Sequence, residues 1–334
     1  MDRWGRCTMS KVYAGGWRRW PATLLLVASL AQAEAGFPVH NEGALARTTA
    51  LPDIGEAAVL APGDHALGFT LDWTNEYVAQ AKGDESLIID GETQRYAAAL
   101  RYGIAPDFEL GLSVPLLVTG GGVLDGIIQN WHHFWGLPDG GRNEAPKDRL
   151  LYEVQGNGQT LLDVSRSATG LGDIEVSGGW QLAHPLALRA MVKLPTGDEN
   201  RLTGGNLGSA LWLDWDPFRN FGGSRRWFGF VSAGASINQK SSVLSEYQQQ
   251  LVGFGGLGAG YRVLQRLSLI AQFYSHTPLY SGTALDALQK PGGQLSFGGR
   301  WTFNPHTAVD LGIQEDLITN SSPDVSFHLG LSLH

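Results

Sequence analysis

From Asp64 to the C-terminus the dominant signal is a strict alternation of apolar and polar side chains. A period of two sends successive side chains to opposite faces of an extended chain, so each such run is a strand with one apolar face. In the clearest run Leu295, Phe297, Gly299, Trp301 and Phe303 alternate with Gln294, Ser296, Gly298, Arg300 and Thr302. At the C-terminus Val325, Phe327, Leu329, Leu331 and Leu333 alternate with Ser326, His328, Gly330, Ser332 and His334. The same pattern fills Arg95–Ile104, Asp107–Val114, Asp173–Leu182 and Val309–Gln314. Weaker versions fill Asp64–Trp73, Leu186–Leu194, Asn206–Asp216, Trp227–Asn238, Gln250–Tyr261 and Leu267–His276. The total is about twelve strands, within the range of outer-membrane barrels.

The links between strands choose the architecture. Short links at Ala105–Pro106, Ala183–Pro185, Val263–Arg266 and Asn304–His306, with a moderate one at Pro217–Arg226, alternate with long ones at Thr74–Leu87, Thr119–Gly170, Pro195–Gly205, Gln239–Gln249, Thr277–Gly293 and Leu317–Pro323. In an up-and-down antiparallel order every second link lies at the same end, so all long loops share one rim. Bacterial barrels show this asymmetry, with short periplasmic turns and long extracellular loops. A soluble sandwich also alternates, but gives no reason to sort loop lengths by parity, and its strands run shorter. The aromatic residues Tyr102, Phe108, Trp215, Trp227, Tyr261, Trp301 and Phe303 cluster near the short-turn ends of the apolar face, the position of a membrane girdle. The expected fold is an all-β transmembrane barrel spanning residues 64–334, with an amphipathic helix in the long loop 120–170. Outer-membrane lipids, and the barrel-assembly machinery acting through the C-terminal strand, are its expected partners.

The start of the chain reads as an address. Arg3, Arg6, Lys11, Arg18 and Arg19 precede the apolar stretch Pro21–Ala31, and the small-residue sites Ala31-Gln32-Ala33 and Ala33-Glu34-Ala35 follow. That is the layout of a secretory leader, expected over residues 1–35, with translation starting at Met1 or Met9. Its apolar stretch is too short to span a bilayer as a helix. Export to the outer membrane of a Gram-negative cell follows, with residues 36–63 expected as a periplasmic lead-in. The single cysteine, Cys7, falls within the leader, so thiol and disulfide chemistry is not expected in the exported chain. The net charge of -8 argues against a nucleic-acid partner.

Gly170-Leu171-Gly172-Asp173-Ile174 opens one strand and Lys193-Leu194-Pro195-Thr196-Gly197-Asp198 closes the next. This pairing resembles the barrel family of the MetA-pathway phenol-degradation outer-membrane channel. Asn130–Arg142 (NWHHFWGLPDGGR) and Ser326–Leu333 (SFHLGLSL) are similar to a Gram-negative outer-membrane family of unknown function, the domain of unknown function 3187 type. The resemblance implies location and fold, and brings no catalytic residues. One departure is the ending, where His334 follows Leu333 in place of a terminal aromatic residue.

Residues opposite the apolar face point into the lumen. Arg95, Arg101, Glu109, Asp173, Glu175, Arg189, Lys193, Arg300, Asp310 and Gln314 are the lining candidates. Their mixed signs suit a salt-bridged filling better than a selectivity ring. In the long loop Val123, Leu124, Ile127, Ile128, Trp131, Phe134 and Trp135 recur at three- and four-residue spacing, the mark of an amphipathic helix. Such a helix must bury its apolar face, either as a plug in the barrel mouth or against loops and interface. On the plug reading, removing Val123–Trp135 opens the pore. A second hairpin is expected around Gly156-Asn157-Gly158.

His132 and His133 are adjacent and diverge by about 100° on a helix, so no metal site is expected, and no cofactor. Gly253-Phe254-Gly255-Gly256-Leu257-Gly258 matches GxGxxG but lies within a strand, where glycines relieve crowding instead of holding a dinucleotide. The expected function is passage or binding of small solutes, with apolar or aromatic ones as candidates, without catalysis. The alternatives are a lipid-modifying barrel enzyme and a structural barrel without flux. An enzyme needs a nucleophile in contact with a base, yet Ser209 and Ser275 take the outward parity while His276 and His328 take the inward one.

Overall fold

The computed structural model describes residues 35–136, 142–220, 226–318 and 321–334. The expected leader, apart from Ala35, lies outside the described residues. The strands are β1 (His65–Lys82), β2 (Glu85–Ala105), β3 (Phe108–Gly120), β4 (Leu151–Gly156), β5 (Gln159–Val164), β6 (Ala168–Leu171), β7 (Ile174–Ala183), β8 (Leu186–Leu194), β9 (Gly208–Trp215), β10 (Trp227–Asn238), β11 (Leu251–Leu264), β12 (Leu267–His276), β13 (Gly292–Asn304), β14 (Thr307–Ile318) and β15 (Val325–Leu333). Helix α1 (Asp125–Trp135) lies in the loop after β3, and a short α2 (Asp286–Gln289) lies before β13.

Twelve of these strands form one antiparallel ring, β1-β2-β3 followed by β7 through β15. It closes where β1 pairs with β15, from Leu67 opposite Leu333 to Asn75 opposite Val325. Closure leaves the ring without an open edge, the condition for a sheet to cross hydrocarbon. The expected alternation holds around the wall. Phe69, Leu100, Leu112, Val176, Leu211, Leu257, Leu295 and Leu311 are exposed, whereas Asp72, Arg95, Glu109, Asp214, Gln272, Gln294 and Asp310 are buried. The girdle candidates Tyr102, Phe108, Trp215, Trp227, Trp301 and Phe303 are exposed near the short turns. Tyr261 stands with its ring 4.8 Å from that of Trp227.

Two links differ from expectation. Thr74–Leu87 is not a loop: β1 and β2 stay paired as far as Lys82 opposite Glu85, turning at Gly83 with φ of 66°. There both strand faces carry polar residues, so the alternation that marks a strand in sequence fades while the ladder continues. The long loop 120–170 contains the expected hairpin, β4 and β5 joined through Asn157 and Gly158 at φ of 53° and 71°. Positive φ at both central residues suits a tight hairpin turn. Strand β4 adds to the projecting end of β2 through Ser86–Asp90.

The larger difference is inside. Of residues 36–63, expected as a periplasmic lead-in, 36–60 run within the ring, and only 61–63 are exposed. Phe37, Val39, Ala44, Ala50, Leu51 and Ile54 are all nearly or fully buried. The β11 glycines make room for this filling. A Cβ on Gly258 would stand 2.4 Å from the Phe230 ring, one on Gly260 2.0 Å from Phe228, and one on Gly256 2.7 Å from Ile54 of the inner segment. The GxGxxG match is thus a matter of space, as the strand context implies. Gly258→Val should destabilise the barrel by about 1–3 kcal/mol through overpacking. Gly253→Ala, where the nearest atom is a Thr277 methyl at 3.3 Å, should cost much less. Urea unfolding midpoints in lipid vesicles check the difference.

Candidate functional site

The lumen is the candidate site, and it is occupied by the chain itself. An ascending limb starts at Ala35, an apex forms the 3-10 turn Ala46–Thr48, and a descending limb leads back to β1. Extended chain of this kind has no ladder to satisfy its peptide groups, so the wall must supply partners. On the ascending side, Arg300 donates to the carbonyls of Ala35 and Gly36 at 3.0 and 3.2 Å. Gln272 accepts from the Phe37 N–H at 2.7 Å and donates to its carbonyl at 3.1 Å. Gln314 donates to the His40 carbonyl at 3.3 Å, and Asn41 meets the His276 ring at 2.8 Å. The Ala44 N–H donates to both oxygens of Glu76 at 3.1 and 3.0 Å.

The apex is held by the loops above. Arg47 donates to the Leu202 carbonyl at 3.1 Å, while Asn206 and Gln248 donate to that of Thr48 at 2.7 and 3.2 Å. The Tyr280 hydroxyl donates to the Leu45 carbonyl at 2.9 Å. Burial pushes this hydroxyl up to about 12, so it remains a neutral donor.

On the descending side, Asn238 accepts from Ala50 at 2.7 Å and Asp214 from Gly55 at 3.0 Å. Arg189 donates to the carbonyls of Glu56 and Ala58 at 2.7 and 2.9 Å. Gln181 and Glu109 accept from Val59 and Leu60 at 3.0 and 2.8 Å. The limbs are clipped together by His40 and Asp53, 2.8 Å apart.

Every lining candidate falls on the inner wall. Arg101 and Arg189 flank the buried Glu109 at 2.9 and 2.7 Å. Arg95 lies 3.6 Å from both Glu42 and Asp72, with half-buried Glu175 in its field. Arg300 pairs with Asp310 at 2.7 Å. Asp173 explains the GLGDI…KLPTGD pairing. It accepts from the N–H groups of Gly197 and Gly205, both at 2.8 Å, and pairs with Lys193. Lys193 in turn donates to the Arg47 carbonyl at 3.3 Å, so this clasp reaches the apex. The arrangement is a filled lumen and not a row of free charges. Neutral amides missed in the sequence, Gln181, Asn206, Asn238, Gln248 and Gln272, do as much of the holding as the ionic residues.

Helix α1 does not plug the mouth. Leu124 and Ile128 are buried against Val325, with Trp73, Ile313 and Phe327 around them. These strand residues have outward parity, so the helix lies on the outside of the wall. Glu92 accepts from the Val123 N–H at 2.9 Å and from Leu124, and from the Trp73 indole at 2.8 Å. Buried Arg142 ties Asp125 of α1, at 2.6 Å, to Asn75 of β1 and to Asp324. Val123, Ile127 and Phe134 face away, at 62, 58 and 76% exposure. The side chains of Trp131, His132 and Trp135 lie outside the described residues. Sequence periodicity shows that such a helix must bury one face but not which surface receives it. Of the enzyme candidates, Ser209 is exposed, the Ser275 hydroxyl donates to the Gly292 carbonyl at 2.8 Å, and His276 is turned inward onto Asn41 of the inner segment.

The chain belongs to the family described as protein of unknown function (DUF3187), whose model matches residues 22–334. In structure it is similar to the COG4313 outer membrane channel from Pseudomonas putida F1, with a TM-score of 0.54 and 15% identity over 85% of this chain and 99% of that one. The Ralstonia pickettii toluene transporter TbuX matches with a TM-score of 0.41 and 10% identity over 82% of this chain and 90% of that one. A Pseudomonas aeruginosa FadL homologue matches with a TM-score of 0.40 and 11% identity over 90% of this chain and 99% of that one. No curated protein matches the chain in sequence. The fold is that of an outer-membrane channel barrel.

Arg189→Ala should free the Glu56 and Ala58 carbonyls and leave Glu109 and Asp214 buried with one counter-charge fewer. Removing one partner of such a buried network costs about 3–5 kcal/mol. Urea unfolding reads the loss, and faster trypsin cleavage after Arg47 reads the loosened inner segment.

Proposed function

We propose that the protein is an outer-membrane channel for small apolar solutes, closed at rest by residues 35–60 of its own chain. The observation that carries this is the composition of the lumen. Wall and inner segment together build one apolar cluster within it, including Leu51, Ile54, Ile89, Met191, Trp212, Phe230, Phe254 and Tyr274. Beside the apex a cleft opens among Leu45, Val78, Leu87, Leu279 and Leu288, with Glu76, His276 and Lys290 at its polar positions. An apolar molecule entering such a surface sheds hydration at a gain, whereas an ion or sugar would lose hydrogen bonds. The polar wall groups are not a selectivity filter on this reading, because their bonding capacity is spent on the inner segment. The aromatic residues near the short turns mark the periplasmic membrane interface, and the similarity to an outer membrane channel agrees with this placement.

Passage then requires the inner segment to move, which can be prevented covalently. A Cβ at Gly208 would stand 2.7 Å from that of Ala50. The pair Ala50→Cys and Gly208→Cys is therefore close enough for a disulfide after a small adjustment. Oxidation should reduce uptake of toluene into proteoliposomes about tenfold, reversed by a reductant, a change in barrier of about 1.4 kcal/mol. Deleting Gly36–Leu60 should raise conductance in planar bilayers, while deleting Val123–Trp135 should leave it unchanged. Equal toluene flux in the oxidised and reduced protein would overturn the proposal.

A further inference from the structure

The outer wall below α1 carries a concavity of about 390 Å³. Two rows of outward side chains bound it. Trp73, Phe327, Ile313 and Phe297 are successive cross-strand partners on β1, β15, β14 and β13 in the row nearer α1. Leu71, Leu329 and Leu311 form the next row, which ends at Gly299, where no side chain continues it. Between the rows the floor is the backbone of Gly298, Gly312 and His328, whose positions face inward. Because any side chain at these positions would point inward, the floor on the outer side is bare backbone. From inside, Phe37 backs it, 3.4 Å from where a Gly312 Cβ would be. The concavity therefore faces the membrane and is shut off from the lumen.

Its extracellular end is closed by α1, since Trp73, Ile313 and Phe327 are also the residues on which Leu124 and Ile128 rest. The other strip of α1, Val123, Ile127 and Phe134, projects away from the protein. A helix with one apolar strip on the wall and another facing outward lies along a membrane interface. Because α1 belongs to the end opposite the short turns, that interface is the extracellular one.

We infer that this concavity is a binding site for one acyl chain of an outer-leaflet lipopolysaccharide, with α1 as its roof. The lining is almost wholly apolar, so a hydrocarbon chain fits it and a headgroup does not. The depth beneath an extracellular interfacial helix selects the outer leaflet, whose lipid in a Gram-negative envelope is lipopolysaccharide. The inference rests on location in the outer membrane and is independent of solute flux.

Native mass spectrometry of the full chain, extracted from outer membranes in mild detergent, tests it. The expected spectrum shows one lipopolysaccharide per barrel. Ile313→Trp, which fills the concavity, should lower the bound fraction about tenfold, equivalent to about 1.4 kcal/mol. Leu311→Trp, on the facing row, gives a second reading should the first variant fail to assemble. Leu257→Trp, at an exposed position on β11, should retain the lipid. Absence of an adduct, a phospholipid adduct in its place, or binding unaffected by the filling substitutions would overturn the inference. Toluene flux measured on the same preparations keeps this outcome separate from that of the channel proposal.

Discussion

The structure depends on one requirement, that a peptide group removed from water must find a hydrogen-bond partner. The wall meets it by closing on itself, with β1 against β15. The inner segment has no ladder, and meets it through side chains. Gln272 serves both the N–H and the carbonyl of Phe37, and Arg189 serves two carbonyls of the descending limb, those of Glu56 and Ala58. The inner face of the barrel can therefore be regarded as a set of partners matched to one irregular path. This also explains the mixture of charge along it. Carboxylates and amides accept from N–H groups, guanidinium and amide groups donate to carbonyls, and both kinds recur along any peptide.

The wall was legible in the sequence because lipid on one side and a polar interior on the other impose a period of two. Gln294–Phe303 and Val325–Leu333 show it directly, and the parity of the links ordered the strands. It failed where that contrast disappears. Thr74–Leu87 reads as loop although Thr74–Lys82 is paired with Glu85–Thr93, because polar residues such as Thr74, Asn75, Glu76, Gln80 and Lys82 fall on both faces of β1 there. Residues 36–63 carry apolar side chains at no fixed spacing, interrupted by Pro38, Pro52 and Pro62. A segment shaped to fit its surroundings has no repeat of its own. The inward residues were correctly oriented by parity, but what they bind depends on contacts more than two hundred positions away, as from Phe37 to Gln272.

Helix α1 shows the same limit in another form. Its spacing establishes an apolar face, and the rule that such a face must be buried leaves the barrel mouth and the loops or interface equally open. The deciding groups were polar. Arg142 bridges Asp125, Asn75 and Asp324, and Glu92 caps the first turn, so the helix is fastened to the outward side of β1 and β2. The GLGDI…KLPTGD motif is likewise structural. Asp173 organises the loop after β8 and presents Lys193 to the apex of the inner segment, which ties a wall motif to the lumen filling.

The inner segment precedes β1 in the chain, yet its partners reach from β1 to the loop before β15, among them Glu76 and Ser321, the latter bonded by Asn41. Contacts of such long range form slowly, because the intervening loop must be closed before they contribute. A segment that precedes every wall strand in the chain thus depends on contacts that close last. Until the final strand meets the first, residues 35–60 have no enclosed surface to bind. Filling the lumen and sealing the ring belong to a single closing step, and a barrel that sealed early would shut its own contents outside.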